Sequence, residues 1–118
     1  MDFAHELVAG RRSAIVVARS QTAGRGSHGR QWLSQIGGLY LSWAFPGAEE
    51  PETLLAVFAV AAIDVLVLHG LLGCRIQRPN AIHVGGKKIA GLLAESGNGG
   101  CVLGLGVNLN NEVPRRSR

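Results

Sequence analysis

The sequence is poor in aromatic residues and in cysteine. Aromatic residues make up 5% of the 118 residues, whereas 17 residues are glycine. This balance predicts tight turns or loops that wrap a ligand, because glycine permits backbone conformations that other residues avoid. The two cysteines, Cys74 and Cys101, lie far apart, and no basic region with a following apolar core and cleavage site opens the chain. A cytoplasmic protein with reduced thiols is therefore predicted.

The chain also lacks the polar, low-complexity bias of a disordered protein, and it contains no internal repeat. Its hydrophobic content of 47% with 17% charged residues is typical of a globular domain. We predict one domain over residues 1–110 and a basic, disordered tail over residues 111–118. The formal net charge of +4 suits an anionic partner, either a nucleic acid or a phosphate-bearing small molecule.

One apolar run, Leu54–Leu72, is long enough to raise the question of a membrane span. It is interrupted by Asp64, His69 and Gly70. An unpaired charge is costly at bilayer depth, so we predict a buried amphipathic helix and no membrane association.

The other patterns predict few helices and several strands. The predicted elements are helices Asp2–Ala9 and Thr53–His69, strands Ser13–Arg19, Gly38–Ala44 and Cys74–Gln77, the hairpin of Ala81–Val84 with Lys87–Glu95, and strand Cys101–Asn108. The β-branched, apolar first strand is predicted to be buried on both faces. Together they predict an α/β (α+β) domain with a mixed, largely antiparallel sheet.

The segment Gln21–Trp32, QTAGRGSHGRQW, follows the first predicted strand. Its glycines match the dinucleotide pattern G-x-G-x-x-G: Gly24, Gly26 and Gly29. A dinucleotide loop must open a helix at its third glycine, and the glycine pair at 37 and 38 leaves no room for one. The segment instead predicts a loop whose amides, with Arg25 and Arg30, close over an anion. An arginine- and glycine-rich contact with nucleic-acid phosphates is the alternative.

Metal sites and nucleophilic catalysis find little support in the sequence. The four histidines are scattered and, with the two cysteines, show no ligand spacing: His5, His28, His69 and His83. No serine, histidine and aspartate occur in a sequence context that indicates a Ser-His-Asp catalytic triad. We therefore predict no tightly bound metal.

Three segments, in this order, resemble the catalytic domain of biotin protein ligases: QTAGRGSHGRQW, RPNAIHVGGKKIAGLLAES and VLGLGVNLN. The resemblance implies that family's catalytic-domain fold. It also implies activation of biotin with ATP and Mg²⁺ to biotinyl-5′-AMP, with release of pyrophosphate. Biotin would then pass to a lysine of a carboxylase's biotin carboxyl carrier domain.

The resemblance also implies roles for individual residues. The catalytic residues would be Lys88, Arg25 and Arg30. The biotin site would comprise Gln21, Gly24, Arg25, Lys88 and Gly91. The nucleotide site would comprise Arg25, Gly26, Arg30, Trp32, Asn80 and Asn108. Simpler interpretations stay open for three of them. Lys88 could be an exposed hairpin lysine, although Lys87 is the better candidate for that. Gly91 could mark a bulge, and Asn108 could close an Asx turn.

The chain departs from the family at several places. Gln77-Arg78-Pro79-Asn80-Ala81 stands where the family has KWPND, so the lysine, tryptophan and aspartate are replaced. Ser27 replaces an arginine that the family usually has within the loop QTAGRGSHGRQW. The family's Ser-Thr-Asn segment and DNA-binding domain have no counterpart, so sequence-specific DNA binding is not expected. These departures favour an alternative function, a module that binds biotin or a nucleotide without turnover.

A homodimer is also expected from the size of the chain. A core this small, with strands at the edges of its sheet, gains from covering an edge with a second copy.

Overall fold

A computed structural model of the chain describes residues 1–9, 11–26, 29–47, 50–78, 80–97 and 99–110. The elements are α1 (Asp2–Ala9), β1 (Ala14–Ala18), β2 (Leu39–Pro46), α2 (Pro51–Leu68), β3 (Arg75–Gln77), β4 (Ala81–Val84), β5 (Lys87–Gly97) and β6 (Gly100–Val107). The predicted tail, residues 111–118, lies outside the described residues.

The strands form one six-stranded sheet in the order β1-β2-β6-β5-β4-β3. Each neighbouring pair of strands is antiparallel, which confirms the predicted fold class. The hairpin between β4 and β5 turns at Gly85 and Gly86, whose φ angles of 58° and 79° favour glycine. The long strands β5 and β6 pair from Ala90↔Val107 to Gly97↔Gly100 and form the centre of the sheet.

The two helices cover opposite faces of the sheet. Helix α1 buries Ala4 and Val8 against Ala44 and Val102. Helix α2 packs on the other face, where Ala59 joins a core formed by buried residues of β4, β5 and β6: Ile82, Ala90, Leu92, Leu105 and Val107. Alternate residues of β6 therefore serve different cores, as strand geometry requires.

Strand β1 differs from the prediction, which had it buried on both faces. Ile15 and Val17 are 62% and 61% exposed, whereas Val16 packs beneath α1. The reason is that α2 packs mainly on β4, β5 and β6. Within the described residues β1 has a neighbour, β2, on one side alone, so it is an edge of the sheet. The homodimer expected from such edges stays a prediction.

Helix α2 is found where it was predicted, with Pro51 in its first turn, but the prediction that it is buried was wrong. Ala59 is its one buried described residue, and exposed apolar side chains include Val57, Val60 and Leu68. Only one side of a helix can pack on the sheet. Because this run is apolar on all sides, the apolar side chains on its other sides are left exposed. By length and composition alone, with a mean hydropathy of 2.1, α2 could cross a membrane. A cytoplasmic location stays a prediction.

The difference in burial between two isoleucines provides a test of this fold. Ile82 is fully buried in the α2 core, whereas Ile15 lies on the uncovered face of β1. We expect Ile82→Ala to lower the free energy of unfolding by about 3 kcal/mol, since it removes buried methylenes and leaves a cavity. The matched control, Ile15→Ala, should cost less than about 1 kcal/mol. Urea unfolding followed by circular dichroism measures both, and equal losses would contradict the arrangement of α2.

Candidate functional site

An open cleft lies on the α1 face of the sheet, beneath the loop between β1 and β2. Most of the predicted ligand-contacting residues line it: Gln21, Arg25, Gly26, Trp32, Asn80, Lys88 and Gly91. Other lining residues were not predicted, and they include Leu41, Ser42, Leu93, Gly104 and Gly106. These five carry no reactive group in a recognisable pattern, so the sequence alone did not single them out.

The floor of the cleft is formed by two glycines that face each other across β5 and β6. Gly91 and Gly106 are directly paired, and the indole ring of Trp32 lies on them. A Cβ atom added at Gly91 would lie 2.9 Å from Trp32 Cζ3, and one added at Gly106 would lie 2.4 Å from Trp32 Nε1. Any side chain at either position would therefore displace the ring.

The loop that carries Trp32 is an irregular hairpin. The Gln21 amide donates to the Ser34 carbonyl at 3.0 Å, and the Trp32 amide donates to the Gly24 carbonyl at 2.9 Å. Gly24 is buried, and a Cβ atom there would lie 2.3 Å from the Trp32 carbonyl oxygen. Gly24 thus permits the two arms of the hairpin to approach. The loop leads into β2, in agreement with the argument against a dinucleotide fold.

Lys88 faces the cleft, and its neighbour Lys87 is exposed. The Lys88 Nζ atom lies 5.4 Å from the centre of the Trp32 ring, which is a cation–π distance. The indole Nε1 of Trp32 is buried and has no hydrogen-bond partner among the described residues. Lys88 thus places a cation at the cleft, where an anionic ligand could bind.

Arg25 lines the cleft but is already paired with carboxylates. Its Nη2 donates to Glu95 Oε1 at 2.9 Å, its Nε donates to Glu95 Oε2 at 3.3 Å, and its Nη1 donates to Asp2. His5 Nε2 lies 2.7 Å from Glu95 Oε1. Hydrogen bonds to Glu95, and then to Asp2, raise the pKa of Arg25. The sequence did not predict this cluster, because Arg25 and Glu95 are far apart in the chain.

Glu95 is ionised in this cluster. Burial opposes its ionisation, but hydrogen bonds from Arg25 and His5 outweigh burial and hold the pKa of Glu95 below its ordinary value. The carboxylate therefore stays negative throughout the neutral range, and the pair with Arg25 stays charge-assisted.

Some predicted residues lie away from the cleft. Arg30 is exposed, and its carbonyl accepts from the Gly26 amide at 2.6 Å. Asn108 does not line the cleft, and its amide donates to the Ile89 carbonyl at 2.7 Å. The roles of Arg30 and Asn108 stay predictions.

Ala81, which stands where the family has an aspartate, is 6% exposed and pairs with Gly91, a residue of the cleft lining.

Among the described residues, the carboxylates around Arg25 are not part of a metal-binding cluster. Within the part of the chain that the structure describes, no three of His, Cys, Asp and Glu come together in a metal-binding arrangement. An aspartate would be expected at position 81 from the family pattern, yet a methyl group is present there.

Comparison with known proteins decides the family. Residues 9–110 match the sequence profile of the biotin/lipoate A/B protein ligase family. The chain belongs to this family. It is 38% identical over 107 residues to the biotin–acetyl-CoA-carboxylase ligase of Paracoccus denitrificans, covering 82% of this chain and 45% of that protein. The chain thus spans less than half the length of this ligase.

Solved structures agree with this membership. The biotin protein ligase from Aquifex aeolicus, in complex with biotin and ATP, has a TM-score of 0.78 and 32% identity, covering 86% of this chain and 45% of that one. The biotin protein ligase from Leishmania major, in complex with biotinyl-5-AMP, has a TM-score of 0.74 and 28% identity, covering 97% of this chain and 54% of that one. The family fold is therefore present in this chain.

The glycine floor can be tested with a methyl group. In a Trp43→Phe background, where Trp32 is the remaining tryptophan, Gly91→Ala should displace the indole. We expect a red-shifted emission and a loss of about 1–3 kcal/mol of stability from overpacking. Gly97→Ala is the matched control on the same strand, since an added Cβ atom there meets nothing within 4 Å. Unchanged emission in Gly91→Ala would contradict the contact.

The carboxylate cluster predicts a dependence of stability on pH. Because the folded-state pKa of Glu95 is lowered from 4.5, its stabilising contribution is present above about pH 4.5 and is lost as the pH falls below it. Glu95→Gln should therefore be less stable than the parent by about 1 kcal/mol at pH 7, with the difference shrinking toward pH 3. Thermal unfolding at several pH values measures this, with exposed Glu6→Gln as control. A difference that is constant with pH would contradict the assignment.

Proposed function

We propose that this chain carries the adenylate-forming site of a biotin ligase. In this proposal it activates biotin with ATP and Mg²⁺ and passes it to a lysine of a biotin carboxyl carrier domain. The observation that carries the proposal is the cleft, where Lys88, Arg25 and Trp32 meet over the Gly91–Gly106 floor. Its likeness to ligases solved with biotin, ATP or biotinyl-5-AMP supports the same chemistry.

The proposed reaction has two steps. A biotin carboxylate oxygen attacks the α-phosphorus of ATP, an oxygen–phosphorus bond forms, and the bond to pyrophosphate breaks. The acceptor lysine amine then attacks the acyl carbon, loses its proton, and releases AMP. Mg²⁺ enters with ATP as part of the substrate complex.

Charge stabilisation is the main task of the protein in the first step. Negative charge accumulates on the phosphoryl oxygens, and fixed cations stabilise the transition state when they are positioned before the reaction. Lys88 is held over Trp32, inside the cleft, and is the cation best placed for this role. The exposed Arg30 would have to approach with the loop.

The second candidate function is ligand binding without turnover. Ala81 favours it, because a buried methyl group beside the cleft neither organises Mg²⁺ nor accepts a proton from the acceptor lysine. The cleft beside Trp32 and Lys88 would still be available to a ligand.

Calorimetry and product analysis separate the two candidates. Biotin and ATP with Mg²⁺ are titrated into the purified chain, separately and together, and pyrophosphate release is assayed in the same samples. Binding with biotin-dependent release supports the ligase. Binding without release supports the binding module, and absence of binding contradicts both.

Paired lysine variants test the role of Lys88. We expect Lys88→Met to slow biotin-dependent pyrophosphate release by about 100-fold, the usual effect of removing one preorganised donor at a developing charge. Lys87→Met removes the same charge from the adjacent, exposed position and should leave the rate nearly unchanged. Equal effects of the two variants would show that Lys88 acts only through the net charge.

A further inference from the structure

Glu95 lies outside the cleft lining, yet it forms two hydrogen bonds with the arginine at the cleft edge. We infer that Glu95 is a positioning residue for Arg25, and that it holds the loop in the arrangement that receives the ligand. This inference rests on the proposed function for its effect on catalysis. Its structural part concerns the ligand-free protein.

The geometry of the pair is specific to arginine and a carboxylate. The Nε and Nη2 edge of the guanidinium faces both oxygens of Glu95, at 3.3 Å and 2.9 Å. Such two-point pairing fixes the plane of the guanidinium as well as its position. A lysine at position 25 would make a single-point contact and would leave its own orientation free.

Glu95 is itself held from the other side. His5 Nε2 lies 2.7 Å from its Oε1, so α1 and the loop both contact the same carboxylate. The side chain of Glu95 is 29% exposed. It stands on β5, which also carries Lys88 and Gly91, and residues 91, 93 and 95 point to one face of that strand. Strand β5 thus supplies one glycine of the floor, the cation Lys88 and the carboxylate that holds the loop.

The third contact of Arg25 is of a different kind. Its Nη1 donates to Asp2, whose side chain is 71% exposed. A solvated partner of this kind is more easily replaced than Glu95. The Nη1 edge is therefore the part of Arg25 that an anionic ligand can take over, while Glu95 keeps the opposite edge in place.

Movement of Arg25 would move Trp32. Both residues belong to the same hairpin, in which the Trp32 amide bonds to the Gly24 carbonyl and the Arg25 backbone pairs with Gln31. Loss of the Glu95 anchor is then expected to loosen the indole on its floor. If the ion pair were purely structural, its loss would lower the stability of the protein and leave the exposure of Trp32 unchanged.

The first measurement needs no ligand. In the Trp43→Phe background, acrylamide quenching of Trp32 is compared for the parent chain, Glu95→Gln and the exposed control Glu6→Gln at pH 7. We expect roughly a twofold rise in the quenching constant for Glu95→Gln, since a released loop exposes the ring. The control should match the parent. A lower melting temperature with unchanged quenching would overturn the inference.

The second measurement uses biotin-dependent pyrophosphate release. Glu95→Gln should raise the KM for biotin or ATP by about fivefold and change kcat less, because charge-assisted hydrogen bonds at a partly buried site have effects of this size. An unchanged KM in an active protein would overturn the catalytic part. If the parent chain shows no release, the proposed function fails, and quenching still decides whether Glu95 positions the loop.

A double-mutant cycle closes the test. In the Arg25→Gln background, Glu95→Gln should produce no further rise in quenching, because its partner is already absent. Additive effects of the two substitutions would show that Glu95 acts on the loop by another route, and would overturn the assignment to Arg25.

Discussion

The contact of the Trp32 ring with two facing glycines is the constraint on which the site depends. Because Gly91 and Gly106 lack side chains, the loop can lie directly on the centre of the sheet. That contact brings Lys88 against the indole and places Arg25 within reach of Glu95. A side chain on either glycine would separate the loop from the strands that supply its cation and its anchor.

Local patterns predicted much of the fold. Alternation and glycine turns located the hairpin of β4 and β5, and the apolar run located α2. Burial was a different matter, because it depends on which elements lie above a strand. The sequence of β1 is apolar, yet Ile15 and Val17 are exposed since α2 packs mainly on β4, β5 and β6.

In the site, too, local motifs were predictable from the sequence and contacts between distant residues were not. The loop motif and the KKIAG segment pointed to Arg25, Trp32 and Lys88, and the structure brings these residues to one cleft. The partner of Arg25 was not predictable, because an ion pair between distant residues leaves no spacing pattern in the sequence. Resemblance to a family identified the residues of the cleft, and it did not indicate that Arg25 is paired with Glu95 and Asp2.

Amide chemical shifts of the ¹⁵N-labelled chain, recorded during a titration with biotin and Mg²⁺-ATP, test the central claim that the cleft lined by Trp32 and its two supporting glycines is the ligand site. The account predicts large, saturable shifts at Gly91 and Gly106, with the turn glycines Gly47 and Gly99 unchanged. Shifts confined to the exposed side of α2, or no shifts at saturating ligand, would contradict it.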